Sequence, residues 1–78
     1  MTHIPAIAPQ FAICIANTGY PAALEVRKIY HVLPDADAAT QHLLRVVDES
    51  GEDYLYPAAT FVLIDFPPPI TEALLNAA

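Results

Sequence analysis

Basic residues are scarce in this chain of 78 residues. Arg27, Lys28 and Arg45 stand against nine acidic residues, and the net charge is −6. Proteins hold the phosphate backbone of nucleic acids with many Lys and Arg side chains, and anionic membrane surfaces attract the same side chains. We therefore expect no nucleic-acid partner and no membrane partner.

Cysteine is also nearly absent. Cys14 stands alone, which excludes a disulfide within one chain and a Cys-rich metal site. His3, His31 and His42 are too widely spaced to suggest a metal site, and we predict no cofactor. The first ten residues carry no positive charge, and the apolar run at 11–16 is too short for a signal-peptide core or a membrane span. These features predict a soluble, cytoplasmic protein.

Apolar residues, in contrast, are abundant. They make up 55% of the chain against 15% charged residues, which excludes intrinsic disorder. One domain of this length has a small core, so apolar surface should remain for a partner or a second copy to cover. We expect an irregular arm at 1–10, a barrel at 11–66, and a Pro-rich spacer with a short helix at 67–78.

Two strands joined by one tight turn are predicted for residues 43–57. A two-residue loop at Ser50 and Gly51 would place two pairs of carboxylates directly opposite each other across the strands, which destabilises a sheet. A three-residue loop with Gly51 in the left-handed position leaves only Asp48 opposite Glu52. This register gives one apolar face, formed by Leu44, Val46, Tyr54 and Tyr56.

The first and last strands are predicted from shorter patterns. Large and small residues alternate at 11–16, so Phe11, Ile13 and Ile15 should share one face of a strand, with a closely packed neighbour on the other face. The apolar run at 61–66 predicts the last strand.

The middle of the chain predicts a central strand and one helical turn. Apolar residues on both faces at 25–33 favour a central strand, and Pro34 ends it because proline cannot donate to a β-ladder. Asp35 should cap one helical turn at 36–40, and His42 should end this connection.

The C-terminal part predicts a corner, a spacer and a helix. Residues 57–60 should form a short corner. Three consecutive prolines at 67–69 should form a stiff extended spacer. Ile70 and Leu74 should then share one side of a brief helix at 70–78.

The order of these elements resembles the second half of an SH3-like barrel. The resemblance covers roughly residues 43–66 and comprises a strand, an acidic glycine turn, a strand, Pro57, a short corner and a closing strand. The chain is also similar to a group of short bacterial proteins, mostly uncharacterised, that carry the segment Arg-Val-x-Asp-Glu-Ser-Gly-Glu-Asp-Tyr, found here at 45–54. The resemblance implies an all-β fold, a five-stranded SH3-like barrel with a short C-terminal helix.

The peptide groove of proline-binding SH3 domains does not carry over to this chain. That groove needs a tryptophan, which the chain lacks, and a tyrosine three residues after the corner proline. Pro57 matches the corner proline, but Phe61 lies four residues further on and lacks the hydroxyl. The resemblance therefore implies the barrel fold but not the binding of proline-rich peptides.

Candidate partner-binding residues lie on the hairpin and the last strand. Four carboxylates at the hairpin tip could grip a basic partner or a divalent cation. A solvated tip that blocks edge aggregation explains them equally well, and neutralising Asp48 and Glu52 should then stabilise the fold slightly. One or two of the four tyrosines should be exposed, as binding surfaces favour. The candidate residues are Asp48, Glu49, Glu52, Asp53, Tyr54, Tyr56 and Phe61.

These observations predict a small, non-enzymatic protein-interaction module. The first alternative is a homo-oligomeric building block, in which the tail helix or the first strand completes a neighbour's sheet. The second alternative is an enzyme or small-molecule binder that uses Cys14 and His31 with an acid such as Asp35. A lone cysteine between Ile and Ala residues favours a small buried side chain instead.

Overall fold

Within residues 10–77, the part of the chain that the computed structural model describes, five strands form one antiparallel sheet. The strands are β1 (Gln10–Cys14), β2 (Ile29–Leu33), β3 (Leu43–Val47), β4 (Asp53–Pro57) and β5 (Phe61–Ile64). Two helices, α1 (Ala36–Thr40) and α2 (Pro68–Leu75), and one 3-10 turn, Ala58–Thr60, complete the elements. Most of the predicted arm at 1–10 lies outside the described residues.

The spatial order of the strands is β4, β3, β2, β1, β5. The last strand therefore returns to pair with the first, and β2 is central as predicted. The predicted all-β class with five strands and a short C-terminal helix is confirmed. Within residues 10–77 no ladder joins β4 to β5, so the sheet is open and a closed barrel is not confirmed.

The sheet nevertheless curves around its core. Tyr56 on β4 and Phe61 on β5 belong to opposite edge strands, yet their ring centroids are 6.4 Å apart. The β1 residues between these edges that face the core are small, namely Ala12 and Cys14. Small side chains there make room for the ring of Tyr30, which pairs with Ala12, and the ring of Phe61, which pairs with Cys14.

The hairpin between β3 and β4 has the predicted three-residue loop. The amide of Asp48 donates to the carbonyl of Glu52 at 3.0 Å, and the amide of Gly51 donates to the carbonyl of Asp48 at 3.0 Å. Gly51 has a φ of 83°, which glycine adopts without a steric penalty. Val46 pairs with Tyr54 in this ladder, so the predicted register is confirmed.

The helical turn α1 is also confirmed with its cap. Asp35 is extended, and its Oδ1 accepts a hydrogen bond from the amide of Ala38 at 2.9 Å. This bond satisfies one of the free amides at the start of the helix. His42, with a φ of 58°, then turns the chain into β3.

Strand β2 is shorter than predicted, because it begins at Ile29 and not at residue 25. Arg27 has a φ of 74°, which interrupts an extended strand. Its amide donates to the carbonyl of Cys14 at 2.7 Å. The amide of Glu25 donates to the hydroxyl of Tyr30 at 2.7 Å, so these residues form a loop packed against the sheet.

The predicted proline spacer is wrong for two of its three residues. Pro67 is extended, with φ −61° and ψ 152°, but Pro68 and Pro69 open α2. Proline suits the first turn of a helix, because its φ is already helical and its missing amide proton has no partner there. The first strand ends at Cys14 and the last at Ile64, each two residues earlier than predicted.

Candidate functional site

The acidic turn is bonded within the domain rather than left to solvent. Asp48 is only 7% exposed. Its carboxylate accepts hydrogen bonds from the Tyr56 hydroxyl at 2.6 Å and from the Ser50 amide at 2.8 Å and hydroxyl at 2.5 Å. The Ser50 and Tyr56 hydroxyls hold the pKa of Asp48 below its usual value against the opposing effect of burial. The expectation of a solvated tip is therefore wrong for Asp48.

Glu49 fastens the same turn to the loop that precedes β2. Its carboxylate lies 2.6 Å from the Lys28 ammonium and also accepts a hydrogen bond from the Tyr30 hydroxyl. These two bonds, that to Lys28 first, lower the pKa of Glu49. The amide of Glu49 donates to the carbonyl of Ala23 at 3.0 Å, beside the fully buried Leu24. The turn and the loop therefore form one bonded unit.

Asp53 is engaged by an arginine on the adjacent strand. The Arg45 guanidinium lies 2.9 Å from Asp53 and 2.8 Å from Asp35. The Ala38 amide and then Arg45 lower the pKa of Asp35. Arg45 thus links β4 to the cap of α1, and Asp53 already has a cationic partner.

Glu52 is the carboxylate of the turn that remains open. It is exposed and, within the described part of the chain, has no cationic partner within salt-bridge distance. It accepts only a long bond, 3.4 Å, from the Tyr54 hydroxyl. Residues 10–77 hold no group of three His, Cys, Asp or Glu side chains placed to bind a metal ion.

Two of the four tyrosines are exposed, within the predicted one or two, and one of them, Tyr54, lies next to Glu52. Tyr54 is 51% exposed and Tyr20 is 39% exposed, whereas Tyr30 and Tyr56 are buried. Tyr20 packs edge to face against Tyr56, with ring centroids 5.0 Å apart. Tyr54 lies two residues before Tyr56 on the same face of β4. We call Tyr20, Tyr54 and Glu52 the tyrosine surface.

The predicted partner-binding residues therefore divide into three groups. Three of them are buried, two are exposed enough to reach solvent but engaged in ion pairs, and two are open. The buried residues are Asp48, Tyr56 and Phe61. The ion-paired residues are Glu49 and Asp53, and the open residues are Glu52 and Tyr54.

The cysteine and histidine considered for catalysis are not brought together. Cys14 is fully buried in the core, and its thiol donates to the carbonyl of Ala16 at 3.3 Å. His31 pairs with Phe11, whose neighbour Ala12 faces the core, so His31 lies on the opposite face of the sheet. Its ring stacks on Phe11 with centroids 5.2 Å apart.

Two exposed features were missed by reasoning from the sequence. Tyr20 lies in the loop between β1 and β2, and its contact with Tyr56 depends on how that loop folds back on the sheet. Two apolar side chains of β5 are also open, with Val62 51% and Leu63 53% exposed. An uncharged Phe-Val-Leu-Ile run at the end of a sheet could have indicated an open edge strand.

Comparison with known proteins identifies no family for this chain. No protein-family model, no curated protein and no solved structure matches the chain. In residues 10–77, no helix has the length and apolar character needed to cross a membrane.

Proposed function

We propose that this protein is a small, non-enzymatic interaction module that binds a basic segment of a partner protein at the tyrosine surface. The observation that carries this proposal is the half-exposed ring of Tyr54 beside the open carboxylate of Glu52, with the half-exposed ring of Tyr20 packed on Tyr56 of the same strand. Tyrosine is favoured in binding surfaces because its ring buries apolar area while its hydroxyl stays hydrogen-bonded.

A basic partner suits the charge of this surface. The chain carries a net charge of −6, which attracts a cationic partner over long range. An Arg or Lys side chain can stack on the face of a tyrosine ring and at the same time pair with a carboxylate. Glu52 and Tyr54 lie close enough to contact one such side chain together.

We also propose that the curved sheet is an SH3-like barrel. Three features support it: the return of β5 to β1, the 3-10 turn directly after Pro57, and the contact of Tyr56 with Phe61 between the two edge strands. A bacterial, cytoplasmic origin stays a prediction from the segment at 45–54 and from the single free Cys14.

The test compares two single variants as bait for proteins from the native cell extract. Tyr54→Ala removes an exposed ring of the tyrosine surface, and Leu55→Ala removes the exposed neighbour on the opposite face of β4. A partner that binds the wild-type protein and Leu55→Ala, but not Tyr54→Ala, supports the proposal. Its affinity, measured by calorimetry, should fall as salt is raised.

Three outcomes would overturn the proposal. The first is that no protein binds. The second is that Tyr54→Ala and Leu55→Ala bind the same partner equally. The third is that the purified protein turns over a small molecule, which would make it an enzyme.

A homo-oligomeric building block is the second candidate function. Of its two routes, the first strand is already paired on both sides, with β2 and with β5. The tail helix α2 remains available, because Ile70 and Leu75 are exposed and none of its residues is buried.

A further inference from the structure

The two edges of the sheet differ in how they are protected. On β4, Pro57 has no amide proton to donate, and Asp53 places a charge on the strand. Natural sheets use proline and charge in this way to prevent pairing with other chains. Strand β5 (Phe61–Ile64) has neither a proline nor a charge, and Leu63 is 53% exposed. Within residues 10–77, the β5 edge is therefore open to another strand.

The hydrogen-bond pattern shows which backbone groups of β5 point outward. The amide of Ile15 donates to the carbonyl of Thr60 at 2.9 Å, so these two residues form a hydrogen-bonded pair. Such pairs alternate along an antiparallel ladder. Val62 and Ile64 therefore bond to β1, while the amide and carbonyl of Leu63 point to the free edge. Within residues 10–77, no other backbone group bonds to Leu63 there.

We propose that the β5 edge is a self-association site, at which two copies of this chain pair antiparallel about a two-fold axis at Leu63. Each Leu63 amide donates to the Leu63 carbonyl of the other copy. Val62 of each copy then lies opposite Ile64 of the other, on one face of the joined sheet. This site is separate from the tyrosine surface, since Tyr54 lies on the other edge strand.

Pairings in which the two-fold axis, the centre of the pairing, lies at another residue of this edge are less favourable. The amide of Phe61 already donates to the carbonyl of Ala58, and Phe61 is buried. A centre at Asp65 places two carboxylates directly opposite, which destabilises a sheet. A centre at Ile64 brings the two Asp65 residues within about 7 Å along the strands, inside the Debye length of about 8 Å. A centre at Leu63 separates them by about 14 Å.

The self-complementary register at Leu63 identifies a second copy as the occupant, because it sets Val62 opposite Ile64 and keeps the two Asp65 carboxylates about 14 Å apart. Charge and area predict that this dimer is weak. Two copies of net charge −6 repel each other, and residues 61–64 carry no charge that could offset this repulsion. A stable dimer buries about 800 Å² on each partner, about a seventh of the 5517 Å² surface of this domain. One short edge strand supplies less, so the dimer should form only at high concentration. Because the two-fold contact pairs the β5 edges of both copies with each other, assembly stops at two copies.

Sedimentation of the full chain from about 10 μM to about 1 mM tests the proposal. The average mass should rise toward that of a dimer and no further. Hydrogen exchange of the Leu63 amide should slow over the same range, while that of the Leu55 amide on β4 should not change. A chain that stays monomeric throughout, or a dimer in which the Leu63 amide stays unprotected, would overturn the proposal.

The variant Leu63→Lys, with Leu55→Lys as its matched control, tests the site of contact. Both positions are exposed on edge strands, at 53% and 41%, and the two variants change the net charge equally. Two lysines directly opposite each other repel, so Leu63→Lys should weaken the dimer about tenfold or more. Leu55→Lys should leave it unchanged. A dimer that Leu63→Lys weakens no more than Leu55→Lys does would show that the contact lies elsewhere.

Discussion

Among single residues, Asp48 differs from the other carboxylates of the turn because it is buried and accepts hydrogen bonds from Tyr56 and Ser50. Asp48→Ala leaves the Tyr56 hydroxyl buried without its acceptor. A lost hydrogen bond to a charged group costs about 1.5–3 kcal/mol, so we expect a decrease of that size in the free energy of unfolding. Urea unfolding at neutral pH measures it.

Glu52→Ala is the control for that prediction. Glu52 is exposed and makes only one long bond, so its removal should change the free energy of unfolding by less than about 0.5 kcal/mol. Equal losses for the two variants would contradict the structural role of Asp48. The sequence alone predicts that neutralising Asp48 together with Glu52 stabilises a solvated turn slightly, because it shows the carboxylates but not their partners.

At the scale of elements, those defined by neighbouring residues could be predicted from the sequence. The turn followed from the spacing of its carboxylates and Gly51, and α1 followed from Asp35 as its cap. Both depend on bonds between residues close together in the chain.

The elements that were misjudged depend on distant contacts. The loop before β2 bends at Arg27 because its amide reaches the carbonyl of Cys14. The burial of Asp48 depends on the hydroxyl of Tyr56 on the facing strand. An isolated sequence pattern carries no sign of such pairs, so the tyrosine surface could be predicted only as one or two exposed rings.

The tail helix α2 can be tested as an element by ending the chain after Phe66, which is kept because its ring lies against Phe11. Since no residue of α2 is buried, the free energy of unfolding should change by less than about 0.5 kcal/mol. Urea unfolding measures this change, and a larger loss would show that α2 supports the sheet. A fall in the number of chains per sedimenting particle would assign assembly to α2, whereas an unchanged number leaves β5 as its route.

At the scale of the whole molecule, the free energy of unfolding should decrease at acid pH. The pKa of Asp48 is lowered from its ordinary value of 3.8 and that of Glu49 from 4.5. A carboxyl with a lower pKa in the folded state stabilises the fold above its unfolded pKa, and this contribution is lost as pH falls through the folded pKa. We expect the free energy of unfolding to be level above about pH 5 and to fall below about pH 4.

Urea unfolding across this pH range measures the effect, with Asp48→Ala as the comparison. The variant lacks one of the three carboxylates whose pKa is lowered, Asp35, Asp48 and Glu49, and should lose less stability between pH 5 and pH 3. If its loss equals that of the wild-type protein, Asp48 is not a source of the acid sensitivity.

The position of β1 between β2 and β5 has a consequence during synthesis on the ribosome. Once Leu33 has emerged, β1 can join β2, but its other side must wait for Ile64. About 30 residues separate these two events, which at translation rates of about 5–20 residues per second is roughly 2 to 6 s. During that interval the nascent sheet presents its first strand unpaired to chaperones and to neighbouring nascent chains.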